Sequence, residues 1–347
     1  MENKVRPLVD ALKLGKKAVF FLGAGVSTSC GIPDFRSPKT GLYAQLERLK
    51  LPYPEAVFDI DYFRESPQAF YTLCEELYPG KFFPSKFHFL LRLFQEKDLL
   101  QKVYTQNIDT LEQLAGVDPE KIIAAHGSFA DNHCIECQER MAPEVLKAQM
   151  SKKSENDGIP TCKKCQGYVK PDIVFFGEGL PVEFFDNWDE DSANVDVAIV
   201  AGTSLTVYPF AGLPAECPKS SLRVLINNEI VGDFKLSRRK SDIILKKTCD
   251  EIALLLALEL GWNDELDTLI EAEKAKFLSK SDISRTTIAA LDDSVELTDS
   301  GAFVDALESQ ADGQLDASEK MAKKVAEAIK DTEDEKALEK DFEKLTV

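Results

Sequence analysis

Three groups of residues in this chain have the types and spacing for chemistry. Cys134-x2-Cys137 and Cys162-x2-Cys165 are two paired thiols separated by 24 residues. CxxC pairs arranged in this way hold one Zn2+ between four thiolates, and four thiolates saturate a tetrahedral ion. No position is left for water or substrate, so the metal is predicted to be structural. The 24-residue gap is longer than the usual ribbon spacing, which weighs against a standard zinc ribbon but not against the four-cysteine assignment. Upstream, Gly23-Ala24-Gly25-Val26-Ser27-Thr28 follows an apolar run. Glycines in such a turn let the backbone approach a phosphate, and a following helix N-terminus stabilises its charge. Between these groups stands His126, in Ala125-His126-Gly127-Ser128. An imidazole suits a base working at neutral pH.

The elements that must position these residues alternate. Short apolar runs at Ala18–Leu22, Val103–Thr105, Ile122–Ala124, Val195–Val200, Leu222–Ile226 and Ile243–Leu245 read as buried strands. Helical spacing separates several of them, as in 86–95 and 250–260. The pattern predicts an α/β fold, a doubly wound, Rossmann-like parallel sheet. Two stretches interrupt it. Residues 131–170 carry both cysteine pairs, and residues 40–85 are rich in aromatics and prolines and are expected to form short helices. The zinc module and the helical insertion are expected to pack together as a smaller lobe, leaving a cleft against the large one. Strand signals stop after Trp262, giving a 1–262 catalytic domain and a 263–347 acidic tail that is helical in part.

The chain has 347 residues and a net charge of −18. Residues 263–347 hold 23 acidic and 11 basic residues, so the tail supplies two thirds of the excess. That balance excludes a broad nucleic-acid face and favours basic peptides as partners, with a merely solvated tail as the plain alternative. No apolar stretch approaches the roughly 20 residues of a spanning helix, and no signal-like run follows Asn3, Lys4 and Arg6. The eight cysteines show no disulfide-like pattern beyond the two pairs, which fits a reducing compartment. A soluble, intracellular protein is expected.

The glycine turn alone is a weak signal, because Thr28 breaks G-x-G-x-x-G and no acidic residue ends a second strand about 20 residues on. An ordinary strand–turn–helix remains an alternative. Polar clusters after other strands add to it. Gln106-Asn107-Ile108-Asp109 follows one apolar strand, Gly202-Thr203-Ser204 another and Asn227-Asn228-Glu229 a third. In an open α/β sheet, ligands bind beyond the carboxyl ends of the strands. Asn107 or Asp109 acting only as a helix cap is the alternative there. Asp34-Phe35-Arg36 places acid, aromatic and cation side by side, as in a lid over a ligand.

These residues together resemble the sirtuins, NAD+-dependent protein-lysine deacylases. The resemblance is carried by Gly23-Ala24-Gly25-Val26-Ser27, Gly31-Ile32-Pro33-Asp34-Phe35-Arg36-Ser37, Thr105 to Asp109, His126-Gly127, both CxxC pairs, Lys170-Pro171, Phe175-Phe176-Gly177-Glu178 and Gly202-Thr203-Ser204. It covers roughly residues 10–262, and residues 49–58 are most similar to the fungal and animal cytoplasmic branch.

The resemblance implies that Ala24, Gly25, Ser27 and Thr28 cradle the pyrophosphate of NAD+. It places Thr203, Ser204, Asn227 and Glu229 on the adenosine half, with Cys249 near the adenine. Gln106 would contact the nicotinamide ribose, and Asn107 and Asp109 the carboxamide pocket. Phe35 would shield the anomeric carbon and Arg36 order its loop. Asp34, Ile108, Gly202 and Asn228 join the cofactor set. Val174, Phe175, Gly177 and Glu178 would pair with the substrate as an added strand. His126 and Asn107 are the expected catalytic residues. In the implied reaction the acyl oxygen of a modified lysine attacks the anomeric carbon, nicotinamide departs, and His126 takes a proton through the ribose hydroxyls. Water then releases lysine and O-acetyl-ADP-ribose.

Of the other histidines, His88 reads as a packed core residue, and His133 is a weak zinc candidate beside Cys134. Ile288-x2-Leu291-x3-Val295-x-Leu297 has the spacing of a nuclear export signal, implying an export receptor and a cytoplasmic protein that shuttles. Residues 319–346 have amphipathic spacing that would allow fold-back over the cleft or self-association. Acetylated proteins such as histone tails are the expected substrates. A binding module without turnover and an ADP-ribosyltransferase remain alternatives, and an NAD-linked oxidoreductase is disfavoured by the missing ribose acid.

Overall fold

The computed structural model describes residues 2–34, 42, 46, 51–78, 80–151 and 158–291. The calls on Phe35, Arg36 and residues 292–347 lie outside the described residues. The described strands are β1 (Ala18–Leu22), β2 (Leu100–Thr105), β3 (Ile122–Ala124), β4 (Gly127–Cys134), β5 (Val169–Ile173), β6 (Val197–Ala201), β7 (Leu222–Ile226) and β8 (Ile243–Leu245). Six of them form one parallel sheet in the order β3-β2-β1-β6-β7-β8. The predicted strand at 195–200 starts two residues later, at Val197. Asp196 just before it turns its carboxylate to Lys16 at 2.7 Å, and the ladder opens where Val197 pairs with Ala18.

All five residues of β1 are fully buried, as a strand covered on both faces requires. Successive side chains alternate faces. Phe20 meets Phe87 and Phe94 edge-on at 6.2 and 5.1 Å, while Phe21 meets Trp188 at 5.6 Å and Phe210 at 6.4 Å on the other side. On the Phe20 side pack the helices Glu2–Lys13, Lys86–Glu96 and Cys249–Leu260. Ser85 caps the second of these, and a Thr248/Glu251 capping box starts the third. Gly261 at φ 74° ends it. On the Phe21 side packs Val182–Asp191.

The two insertions share a separate core. Val57, Phe58, Phe63 and Phe70, from short helices between Pro54 and Leu77, pack against Cys134, Leu146, Cys162 and Phe175. β4 and β5 pair antiparallel within it. The chain divides into compact units Met1–Lys280 and Ser281–Val347. The final described helix is Asn263–Leu291, and its Leu266 is fully buried in the core of the first unit. Among the described residues, no helix is long and apolar enough to cross a membrane.

Arg223, on β7, is fully buried and ties two later segments, at Asp233 and Asp242, to the strand. Its Nε and Nη2 donate to Asp242 at 2.9 and 2.6 Å, and Nη1 donates to Asp233 at 2.6 Å. Removing the cation strands the Asp242 carboxylate in the interior. Arg223→Leu is expected to cost about 3–5 kcal/mol by urea unfolding, and Arg223→Leu/Asp242→Leu distinctly less.

Candidate active site

β1 sits between β2 and β6, where the strand order reverses, and the crevice there opens at the carboxyl ends of the strands. The turn after Leu22 is pressed backbone to backbone against the end of β6. Gly25 N–H donates to the Gly202 carbonyl at 2.7 Å, and a Cβ on Gly25 would stand 2.7 Å from Gly202 Cα. No side chain fits between them, so both positions need glycine. The predicted helix after this turn is replaced by two short 3-10 turns, Ala24–Val26 and Thr28–Cys30. The chain there bends to bury the Ser27 side chain toward Asp109 instead of extending a helix.

The end of β2 supplies the polar groups facing this turn. Gln106 Nε2 donates to Thr203 Oγ1 at 2.7 Å, bridging the ends of β2 and β6. Asn107 Nδ2 donates to the Gly23 carbonyl at 3.3 Å and to Ser27 Oγ at 3.4 Å. Ser27 Oγ donates to Asp109 Oδ2 at 2.7 Å, while Asp109 Oδ1 accepts the Leu111 N–H at 3.0 Å. Asp109 Oδ1 thus holds the start of the following helix, as the helix-cap alternative expects, while Oδ2 faces Ser27 in a recess beside the cavity. Burial raises the Asp109 carboxyl, against the pull of these two donors. The same burial raises Glu112 to about 8.

His126 Nδ1 lies 3.0 Å from the Gln106 carbonyl. A carbonyl only accepts, so Nδ1 carries the hydrogen and Nε2 is left as the basic nitrogen. Burial pulls the imidazole below its usual value, and the Gln106 carbonyl works against that shift. The next residue, Gly127, has φ 70°, and a Cβ there would meet the Asp172 carbonyl at 1.8 Å. This close crossing into β5 fixes His126 beside the segment Val174–Glu178, whose Val174 N–H donates to the His126 carbonyl at 2.9 Å.

These groups line one cavity of about 660 Å³. Of the residues singled out from sequence, Ala24, Gly25, Thr28, Asp34, Gln106, Asn107, Ile108 and His126 line it. So do Val174, Phe175, Gly177, Glu178, Gly202, Thr203, Ser204, Asn227, Asn228, Glu229 and Cys249. Ser27 and Asp109 line a small recess that shares Ala24, Asn107 and Ile108 with the cavity. Within the predicted substrate strand, the Phe175 ring belongs to the small-lobe core, 4.9 Å from Phe70 and under Lys170 Nζ. The Glu178 carboxylate is spent on Lys170 at 3.0 Å and on the Phe175 N–H, which leaves the backbone for any added strand. Sequence reasoning missed Phe58, Leu180, Val207, Tyr208, Val231 and Lys247 as lining residues. Tyr208 is the most exposed of these large side chains, at 74%, and no local pattern marks it.

The four cysteine sulfurs converge. Cys134–Cys165, Cys137–Cys165 and Cys137–Cys162 Sγ separations are 3.4, 3.4 and 3.7 Å. Sulfurs at 2.3 Å around a tetrahedral Zn2+ stand roughly 3.8 Å apart, so this donor set fits that ion. His133 is turned away from it, with Nδ1 2.7 Å from the Asp172 carboxylate. A Zn2+ held by these four thiolates would tie the small lobe together, and none of the four lines the cavity.

The chain matches the model of the Sir2 family over residues 23–209. It is 57% identical over 286 residues to the NAD-dependent protein deacetylase HST2 of Candida albicans, covering 82% of this chain and 85% of that one. It is 50% identical to the NAD-dependent protein deacetylase hst2 of Schizosaccharomyces pombe, covering 78% and 79%. It is 43% identical to the NAD-dependent protein deacetylase sirtuin-2 of Danio rerio, covering 76% and 73%. The chain belongs to the Sir2 family.

Elemental analysis of the purified protein is expected to find one zinc per chain. Cys134→Ala/Cys162→Ala should lose that zinc and open the small lobe to protease, because four thiolates tie together segments with little regular structure between them.

Proposed function

We propose that this chain is an NAD+-dependent protein-lysine deacetylase, yielding lysine, nicotinamide and O-acetyl-ADP-ribose from acetyl-lysine, NAD+ and water. The observation that carries the reading is the placement of a neutral His126, with a free Nε2, in the same cavity as the Gly23–Thr28 turn and the Val174–Glu178 strand. The names of the relatives agree with it.

NAD+ supplies an anomeric carbon whose leaving group is already cationic. The residues of this chain bind and orient around it. The backbone of Ala24 and Gly25, with Thr28, takes the pyrophosphate. Thr203, Ser204, Asn227, Asn228 and Glu229 take the adenosine half at the ends of β6 and β7, with Cys249 beside the base. Gln106, pinned to Thr203, presents the ribose side, and Ile108 is its apolar neighbour. Ser27, Asn107 and Asp109 form the polar recess for the carboxamide. Asp34 lines the cavity, and Phe35 and Arg36, which follow it in the sequence, are assigned the shielding of the anomeric carbon and the ordering of that segment. An acyl-lysine peptide adds to the backbone at Val174, Gly177 and Glu178. Nδ1 of His126 stays fixed on the Gln106 carbonyl while Nε2 accepts the proton.

The substrates we assign are acetylated proteins with basic flanks, histone tails among them, which suits a chain with net charge −18. We place the protein in the cytoplasm with passage through the nucleus on the Ile288–Leu297 motif, read by an export receptor. The acidic tail is assigned a regulatory role.

Nicotinamide release from NAD+ with an acetylated histone-tail peptide tests the reading. Release should depend on the peptide and fall by about 10²–10⁴-fold in His126→Ala. No release from folded, zinc-loaded protein with acetyl or longer acyl chains would remove it. His126 works in its neutral form, and burial lowers its pKa. The rate should therefore hold as pH falls to about 6.5 and decline only below it, so an acid limb in kcat/KM centred above 7 would contradict the assigned base.

A further inference from the structure

Behind the Ser27/Asp109 recess lies a cluster that the reaction above does not use. Donor atoms of His88, Asp109 and Glu112 all lie within 4.8 Å of one another. His88 is fully buried and Glu112 is 2% exposed. His88 Nδ1 accepts the Ser85 N–H at 3.1 Å, and Ser85 Oγ donates to the Val26 carbonyl at 3.0 Å. A ring nitrogen that accepts from an amide carries no hydrogen, so the neutral ring holds its hydrogen on Nε2. That Nε2 has no hydrogen-bond partner among the described residues, and neither has Glu112 Oε1. Two unpartnered polar atoms in one buried cluster are costly, and a proton on the carboxyl lowers that cost.

The other Glu112 oxygen accepts from the Thr105 hydroxyl, whose oxygen accepts the Asn107 N–H at 3.1 Å. Asn107 leads through Ser27 back to Asp109. A chain of hydrogen bonds therefore starts at Glu112 and ends at the neighbouring carboxyl. Two buried carboxyls this close resist ionising together, and the proton belongs to the more deeply desolvated one. Each has two donors, the Ser27 hydroxyl and the Leu111 N–H at Asp109 and the Thr105 hydroxyl and its own backbone N–H at Glu112, so depth decides: Glu112 is buried, whereas Asp109 is half-buried at the recess.

We propose that Glu112 is a neutral carboxylic acid in the working protein. Beside His88 and bonded through Thr105 toward Asn107, it is a positioning residue that leaves Asp109 as the ionised acceptor in the recess. The proposal rests on the reading of the recess as the carboxamide site. The other charged groups around the cluster are engaged elsewhere. Asp250 accepts the Phe87 N–H at 3.0 Å and bonds from Ser29 and Ser85, with Lys86 nearby. Cys30 is kept as a thiol by burial and by Asp250 and Asp109. Arg92, one turn beyond His88, is spent on Glu96, Glu273 and the Ala115 carbonyl. His126 is neutral across the alkaline range and adds no titration there.

The test uses the full zinc-loaded chain and reads it in two ways. Infrared spectra at pH 7 should show a protonated-carboxyl band that shifts on 13C labelling of glutamate and vanishes in Glu112→Gln. This readout needs no activity, so it is separate from the deacetylase reading, and the labelled wild type suffices should the variant not fold. Nicotinamide inhibition, the second readout, should weaken several-fold in the wild type between about pH 7 and about pH 9, as Glu112 titrates. It should stay flat in Glu112→Gln, whose amide cannot ionise. A purely structural Glu112 would change stability and leave the two pH profiles parallel. No glutamate band, or parallel profiles, overturns the proposal. A second metal per chain that is lost in Glu112→Gln also overturns it, by making the trio a cation site. A band present with no nicotinamide inhibition at any pH overturns the positioning role and counts separately against the functional reading.

Discussion

β1 is hydrogen-bonded along both edges by parallel neighbours, β2 and β6, and none of its side chains reaches solvent. Parallel pairing sends the carboxyl ends of all three strands to the same edge of the sheet. The next residues of each chain segment, Gly23, Gln106 and Gly202, must then leave the sheet within a few ångströms of one another. Only backbone fits at the closest point, which is why Gly25 meets Gly202 without intervening side chains. The polar groups just beyond are forced into contact, and the Gln106–Thr203 and Asn107–Ser27 bonds follow from that geometry. The site is thus a consequence of strand direction before it is a consequence of any one residue.

Much of this was legible in the sequence because buried parallel strands are short apolar runs, and such runs end where polar residues begin. Five of the six runs named from sequence match strands of the sheet or lie within them, and Val197–Ala201 is offset, its pairing starting where Val197 meets Ala18 and Leu222. The cysteine pairs were equally plain, since metal ligation is local in type if not in sequence. What the sequence concealed is long-range. The 3-10 turns after Gly23 depend on the pull of Asp109 on Ser27, 82 residues away. Tyr208 and Val231 line the cavity only because their loops return to the same edge. His88 read as core, and it is core; that its polar edge meets Glu112 and Asp109 cannot be seen from an apolar helix face.

The small lobe solves a different problem. Its two insertions come from opposite sides of β2 and contain little regular sheet, only the β4–β5 pair. An aromatic cluster of Phe58, Phe63, Phe70 and Phe175 fills the space between them, with rings at 4.9 to 6.2 Å. Phe175 lines the cavity and belongs to this cluster at once. The thiolate site and the aromatic core therefore bear on the same strand that would receive a peptide, although neither takes part in the chemistry.

Burial acts with opposite sign on acids and bases, and this site uses both directions. It pushes Glu112 and Asp109 toward their protonated forms and His126 and His88 toward their unprotonated ones. Hydrogen bonding works against burial at two of these groups. Asp109 has two donors aimed at it, and His126 has an acceptor on the nitrogen it does not use. A base must be empty to accept a proton, and an acceptor must be ionised to hold an amide strongly. The same desolvation that raises a buried carboxyl here lowers the imidazole, and at Asp109 the Ser27 and Leu111 donors oppose that rise without cancelling it.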